Sequence, residues 1–139
     1  IKQVFFLMKT AIIFPGQGSQ FVGMGHDFYN KYQASKKIFD DLDILLDRDI
    51  KNLIFSGDIA ELSQTENSQP AIMATSIAIF NVLKNEKLIS KDSYHAVAGH
   101  SLGEYSALVA NNGITFEQSV QLLKIRSRAM QDSMPLGTS

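Results

Sequence analysis

Two short runs in this chain are apolar at every position, and longer runs are apolar at helical spacing. Ala11-Ile12-Ile13-Phe14 stops at Pro15-Gly16, and Ala96-Val97-Ala98 stops at Gly99. Continuous apolar runs ended by turn residues predict buried strands. Asp27 is placed to cap a helix running from about Phe28 into the forties, with Tyr32, Phe39, Leu42 and Leu46 near one face. Residues 50–63 are short and mixed, and predict one or two helical turns broken at Gly57. Residues 69–87 carry Ile72, Met73, Ile77, Phe80 and Leu83 among small residues, and predict a helix buried on much of its surface. Residues 102–110 predict a helix that stops near Asn111-Asn112-Gly113. Thr115 opens a last helix, with Gln118 three residues on to complete a capping box. Buried strands alternating with helices predict a parallel sheet in an α/β layered architecture. Ligands in such sheets sit beyond the carboxyl ends of the strands. Both glycine turns, after Phe14 and after Ala98, therefore fall on one functional edge.

The second turn is the more informative. Gly99-His100-Ser101-Leu102-Gly103 reads G-x-S-x-G between a strand and a helix, the setting of a nucleophile elbow. A larger side chain at either glycine would collide in so sharp a turn. The bland alternative is an accidental match in a strand-helix connection. A nucleophilic Ser101 needs a general base, usually a histidine oriented by a third group. His100 diverges from its neighbour's hydroxyl and reads as a packed residue. His95 opens the second strand, at the end opposite the elbow. His26 reads as a surface or capping residue in the loop after the first turn. None of the three is a convincing base.

The first turn, Pro15-Gly16-Gln17-Gly18-Ser19-Gln20, could attract a phosphate through its backbone N–H groups. The dinucleotide pattern fails, because Phe21 occupies the third glycine position, and no G-x-x-x-x-G-K is present. An oxyanion hole is the better reading, formed by the N–H of Gln17 with that of Leu102. A plain strand-helix connection is the alternative.

Arg126 stands out on the last helix. Phe116, Ser119, Val120, Leu122, Leu123, Ala129 and Met130 share an apolar stripe. Glu117, Gln121, Lys124, Arg128 and Asp132 lie opposite, yet Arg126 falls inside the stripe. A guanidinium there is costly unless paired. It either meets an acid, snorkels past the rim, or clamps a ligand carboxylate with its planar fork. Glu104, in the first turn of the elbow helix, suits the helix dipole. Gln69, before Pro70, either supports the site or begins its helix.

Composition narrows the classes without choosing among them. The chain has 139 residues, 45% hydrophobic and 19% charged, with a net charge of −1. That suits one globular domain and offers no basic surface for nucleic acid. There is no cysteine, so disulfides and thiolate chemistry are excluded. The apolar stretch at residues 4–8 is too short to span a membrane. Without a secretory signal, the expected location is cytoplasmic. Residues 1–8 read as an N-terminal extension and residues 9–139 as part of one domain.

GHSLGEYSALVA at residues 99–110, FPGQGSQ at 14–20, IRSRAMQ at 125–131 and SQPA at 68–71 together resemble the malonyl-CoA:acyl carrier protein transacylases. Acyltransferase domains of polyketide and fatty acid synthases share much of the pattern. The resemblance implies a hydrolase-like α/β core with a ferredoxin-like subdomain beginning near the C-terminal end. It implies that Ser101 carries a malonyl group from malonyl-CoA to the thiol of an acyl carrier protein, in fatty acid biosynthesis. Gln17 and Leu102 would form the oxyanion hole, and Arg126 would bind the malonyl carboxylate. Met130 would lie near the acyl pocket, with Gln69 and His100 as further support. No cofactor or metal is implied. Family members are much longer, and their catalytic histidine lies beyond residue 139. The chain is therefore expected to be the first part of the enzyme, completed by a C-terminal polypeptide and short of sheet strands alone. A serine esterase, or a non-catalytic fragment binding coenzyme A or a carrier protein, are the other readings.

Overall fold

The computed structural model describes residues 9–133. The expectations for residues 1–8 and for a subdomain boundary near the C-terminal end fall outside them. Strand β1 (Ala11–Phe14) is followed by helices α1 (His26–Lys31), α2 (Gln33–Leu46), α3 (Ile50–Ser56), α4 (Ile59–Leu62) and α5 (Thr65–Asn85). Strand β2 (Ala96–Gly99), α6 (Gly103–Ala110) and α7 (Phe116–Ser133) complete the order. The two strands pair in parallel, with Ala11 opposite Ala96 and Phe14 opposite Gly99. The expected α/β class with parallel pairing is what forms.

Helix α5 is the axis of the core and packs against α2, α6 and α7. Its buried residues include Met73 and Ile77, with Ala71, Ala74 and Ala78, whose small side chains let neighbours approach. It starts at Thr65, four residues before the expected position, with Pro70 inside it. Pro70 has no N–H to give the carbonyl of Glu66 one turn back. Arg48 Nη2 donates to that carbonyl at 3.1 Å, so the vacancy in the ladder is filled from outside.

The expected single helix from Phe28 is two helices. Tyr32 is extended (φ −125°, ψ 124°), and the N-cap of α1 is Gly25, with Asp27 in the first turn. The aromatic core explains the break. The rings of Tyr29 and Phe39 meet at 6.1 Å, and Phe55 packs on both. Ten residues along one straight helix would separate their Cα atoms by about 15 Å. The chain must fold back at Tyr32 for the cluster to form. The capping box of α7 forms as expected: Thr115 N–H donates to Gln118 Oε1 at 2.9 Å, and Gln118 N–H to Thr115 Oγ1 at 3.0 Å.

Two burial expectations fail. Ile13 is 75% exposed, and β2 has no fully buried residue. Two strands have two open edges, and no layer among the described residues covers that face of Ile13. On α7 the buried line is Ser119, Val120, Leu123 and Ser127, where α5 and α6 press against it. Leu122 and Ala129, expected in the stripe, are exposed, and Met130 is exposed although Gln69 of α5 reaches its sulfur. No helix among the described residues is long and apolar enough to cross a membrane.

Candidate active site

The register of the sheet builds this site. Because Phe14 lies opposite Gly99, the chain leaves both strands at one level and its two turns emerge side by side. His100 N–H donates to Phe14 O at 3.1 Å, and Gly103 N–H to His100 O at 2.9 Å. A Cβ on Gly99 would stand 1.9 Å from the backbone of Gly103, and one on Gly16 2.6 Å from His100 Nδ1. Both contacts require glycine. Between them Ser101 takes φ 55°, in the left-handed region that a serine seldom adopts. The strand-to-helix reversal is thus as sharp as the sequence pattern demands, and it lifts Ser101 above the sheet edge.

Leu102 is fully buried and is the N-cap of α6. Among the described residues, neither its N–H nor that of Gln17 donates a hydrogen bond. The first loop is held by two hydrogen bonds within it, Ser19 Oγ to Gly16 O at 2.8 Å and Gly18 N–H to Gln20 Oε1 at 2.8 Å, and by two to the junction of α4 and α5, Gln20 Nε2 to Ser63 Oγ at 3.3 Å and Gln17 Nε2 to Thr65 Oγ1 at 3.3 Å. A held loop with free donors, beside a helix N-terminus, favours developing negative charge.

Arg126 reaches the same point from α7. Its Nη2 donates to Ser101 Oγ at 2.9 Å, and its Nη1 to Gln69 Oε1 at 2.7 Å. The Tyr105 ring lies 5.9 Å from its guanidinium carbon. No carboxylate among the described residues pairs with it. The salt-bridge alternative is therefore absent among the described residues, and an uncompensated, half-buried cation stands at the Ser101 hydroxyl. Gln69 is fully buried and donates through Nε2 to Met130 Sδ at 3.4 Å. Ser101, Arg126, Gln69 and Met130 thus form one chain of contacts.

Other expected residues lie elsewhere. His26 is the first residue of α1, rather than in a loop, and stacks on Phe55 at 4.7 Å. His95 Nδ1 accepts from Thr10 N–H at 3.4 Å, at the far end of β2. His100 lies against Gly16, and Glu104 is exposed. No histidine hydrogen bonds to Ser101 among the described residues. A cavity of about 620 Å³ runs beside β1, lined by Ile13, Phe21, Met24 and Phe80 among others. Neither Ser101 nor Arg126 lines it. Tyr105 was missed from the sequence, although its place one turn after Ser101 on the elbow helix was a usable signal. Ser63 and Thr65, which pin the first loop, carry none.

The model of the acyl transferase domain matches residues 11–138. The chain belongs to the acyl transferase domain family. Among similar acyl transferases, the malonyl CoA-acyl carrier protein transacylase of Bacillus subtilis (strain 168) is 45% identical over 131 residues. The alignment covers 94% of this chain and 40% of that protein. The enzyme of the same name from Staphylococcus aureus (strain MRSA252) is 41% identical, with 94% and 41% covered. The acyl-carrier-protein-S-malonyltransferase of Bartonella henselae superposes with a TM-score of 0.89 at 40% identity, over 94% of this chain and 41% of that one. A malonyl-transacylase solved in complex with a type II PKS acyl-carrier protein superposes with a TM-score of 0.87 at 37% identity, covering 94% and 41%. The chain spans about 40% of the length of these relatives.

Proposed function

We propose that this chain carries the nucleophile, oxyanion hole and carboxylate clamp of a malonyl-CoA:acyl carrier protein transacylase. The carrying observation is Arg126, a cation without an acidic partner among the described residues, hydrogen-bonded to the serine of a nucleophile elbow. Ser101 Oγ attacks the thioester carbonyl of malonyl-CoA. The tetrahedral oxyanion is received by the N–H groups of Leu102 and Gln17. Coenzyme A leaves as the thiol, and the malonyl ester stays on Ser101 with its carboxylate on Arg126. The phosphopantetheine thiol of the carrier protein then attacks the ester and restores the serine. Gln69 and Met130 support the clamp, and His100 backs the first loop. The reading places the protein in the cytoplasm, in fatty acid synthesis.

Ser101 also needs a base, worth about 10²–10⁴ in rate. We assign that role to a further polypeptide segment that covers the exposed faces of β1 and α7. The open sheet edges and the share of the relatives that this chain spans support the assignment. Residues 9–133 read as the first part of the domain.

Intact-mass analysis after incubation with malonyl-CoA tests the reading. A malonyl adduct is expected on the chain and absent from Ser101→Ala. Arg126→Ala should lose malonyl labelling selectively over acetyl labelling from acetyl-CoA. Equal loss of both labels would remove the clamp role, and an adduct that survives Ser101→Ala would remove the nucleophile. Sustained hydrolysis of an aryl ester without a thiol acceptor would favour an esterase instead.

A further inference from the structure

We infer that Gln69 sets the acyl-group preference of this site, by holding Arg126 in place without neutralising it. The inference rests on the acyl-transfer reading above and adds a residue that decides its selectivity. A guanidinium only donates, and a thioether sulfur only accepts. Gln69 lies between one of each, so its amide has a single orientation: Oε1 toward Arg126 Nη1 at 2.7 Å, Nε2 toward Met130 Sδ at 3.4 Å. Its burial is complete, so either hydrogen bond would be costly to leave unmade.

A carboxylate in the same place would still accept from Arg126, although it could not donate to the Met130 sulfur. It would also form an ion pair and use the charge of Arg126 inside the protein. The other partners of Arg126 are neutral too: the Ser101 hydroxyl at 2.9 Å and the Tyr105 ring at 5.9 Å. The guanidinium is therefore aimed by three neutral groups and compensated by none of them. A half-buried cation in that state favours an anionic acyl group over a neutral one. Gln69 is a positioning residue, acting on the acyl group through Arg126.

The test uses the Ser101→Ala chain, which lacks the hydroxyl that would be acylated, and calorimetric titration with malonyl-CoA and acetyl-CoA. Malonyl-CoA is expected to bind about ten- to a hundredfold more tightly, the range for hydrogen bonds to a charged group. Adding Gln69→Glu keeps the shape and supplies the charge, and should bring the two affinities together through loss of malonyl-CoA binding. Adding Met130→Leu at its exposed position removes the acceptor that orients the amide, and should lower the preference several-fold. Circular dichroism melts report whether each variant folds. An undiminished preference in folded Gln69→Glu overturns the inference, as does an equal loss of both ligands. If Gln69→Glu does not fold, Met130→Leu decides, and an undiminished preference there overturns it. A parent chain that binds both esters equally, or neither, overturns the acyl-transfer reading itself and Gln69's role with it.

Discussion

Ser101 holds φ 55° in a turn walled by glycines, and that conformation costs an L residue about 1–2 kcal/mol. The reversal needs it, because the chain must turn from β2 into α6 within a few residues. The strain is stored where the hydroxyl is presented. Two substitutions that both remove the hydroxyl separate the effects. Ser101→Gly should be more stable than Ser101→Ala by about 1 kcal/mol, because glycine takes positive φ without the Cβ penalty. Urea unfolding of the two variants measures this directly, and a more stable alanine variant would contradict the strain. Elbow and arginine were both legible in the sequence, one by pattern and one by its place on the wrong side of a helix. Gln69 is ambiguous in the sequence because an amide before a proline also reads as a helix start. Only contacts from two other helices reveal it as the partner of Arg126 and Tyr105 as the surface below it.

Among the elements, α1, α2 and α3 are tied by one polar cluster. Lys51 Nζ donates to Asp40 Oδ1 at 2.5 Å and lies 3.5 Å from Asp43 Oδ2, and Tyr29 OH donates to Asp40 at 3.1 Å. Partial burial works against the Asp40 carboxylate. Hydrogen bonds from Lys51 and Tyr29, with the charges of Lys51 and Lys36, outweigh it and hold the carboxyl below its ordinary value. The hydrogen bond to Asp40 likewise outweighs partial burial and holds the Lys51 ammonium above its ordinary range. A lowered carboxyl stabilises the fold above its unfolded value of about 3.9, and that contribution is lost as pH falls through the folded value. A raised ammonium stabilises below about 10.4, and that is lost as pH rises through its folded value. Solvent screens the pair, so the gain is at most about 1 kcal/mol. The stability gap between the parent and Asp40→Asn should be present at neutral pH and narrow in acid below pH about 4. A gap independent of pH would show that lost packing, not charge, is responsible. The break at Tyr32 belongs to this scale too, since no helix-breaking residue marks it and only the meeting of Tyr29 with Phe39 requires it.

For the molecule as a whole, the apolar surface is unevenly covered. Most apolar side chains of α5 are buried, while Ile13 and Ile125 are 75% and 69% exposed. Exposed apolar side chains on an open strand and an outward helix face invite self-association. Ile13→Lys and Ile125→Lys should therefore change unfolding free energy by no more than about 0.5 kcal/mol while reducing light scattering of the chain in solution. A large loss of stability in either variant would mean that the side chain is already covered by another copy.

The sequence by itself determined the local pieces: two strands, the elbow, the capping box at Thr115 and an arginine on an apolar face. Each follows from a short-range rule, because turn sterics, caps and helical periodicity are written in neighbouring residues. The tertiary structure decided how those pieces act together. The register of β1 against β2 set the two glycine turns side by side. The approach of α5 and α7 gave Arg126 neutral partners in place of an acid. The limited cover over β1 and α7 left apolar positions exposed that their pattern alone had placed in the core. Such outcomes depend on which surfaces meet across tens of residues, and local periodicity carries no record of that.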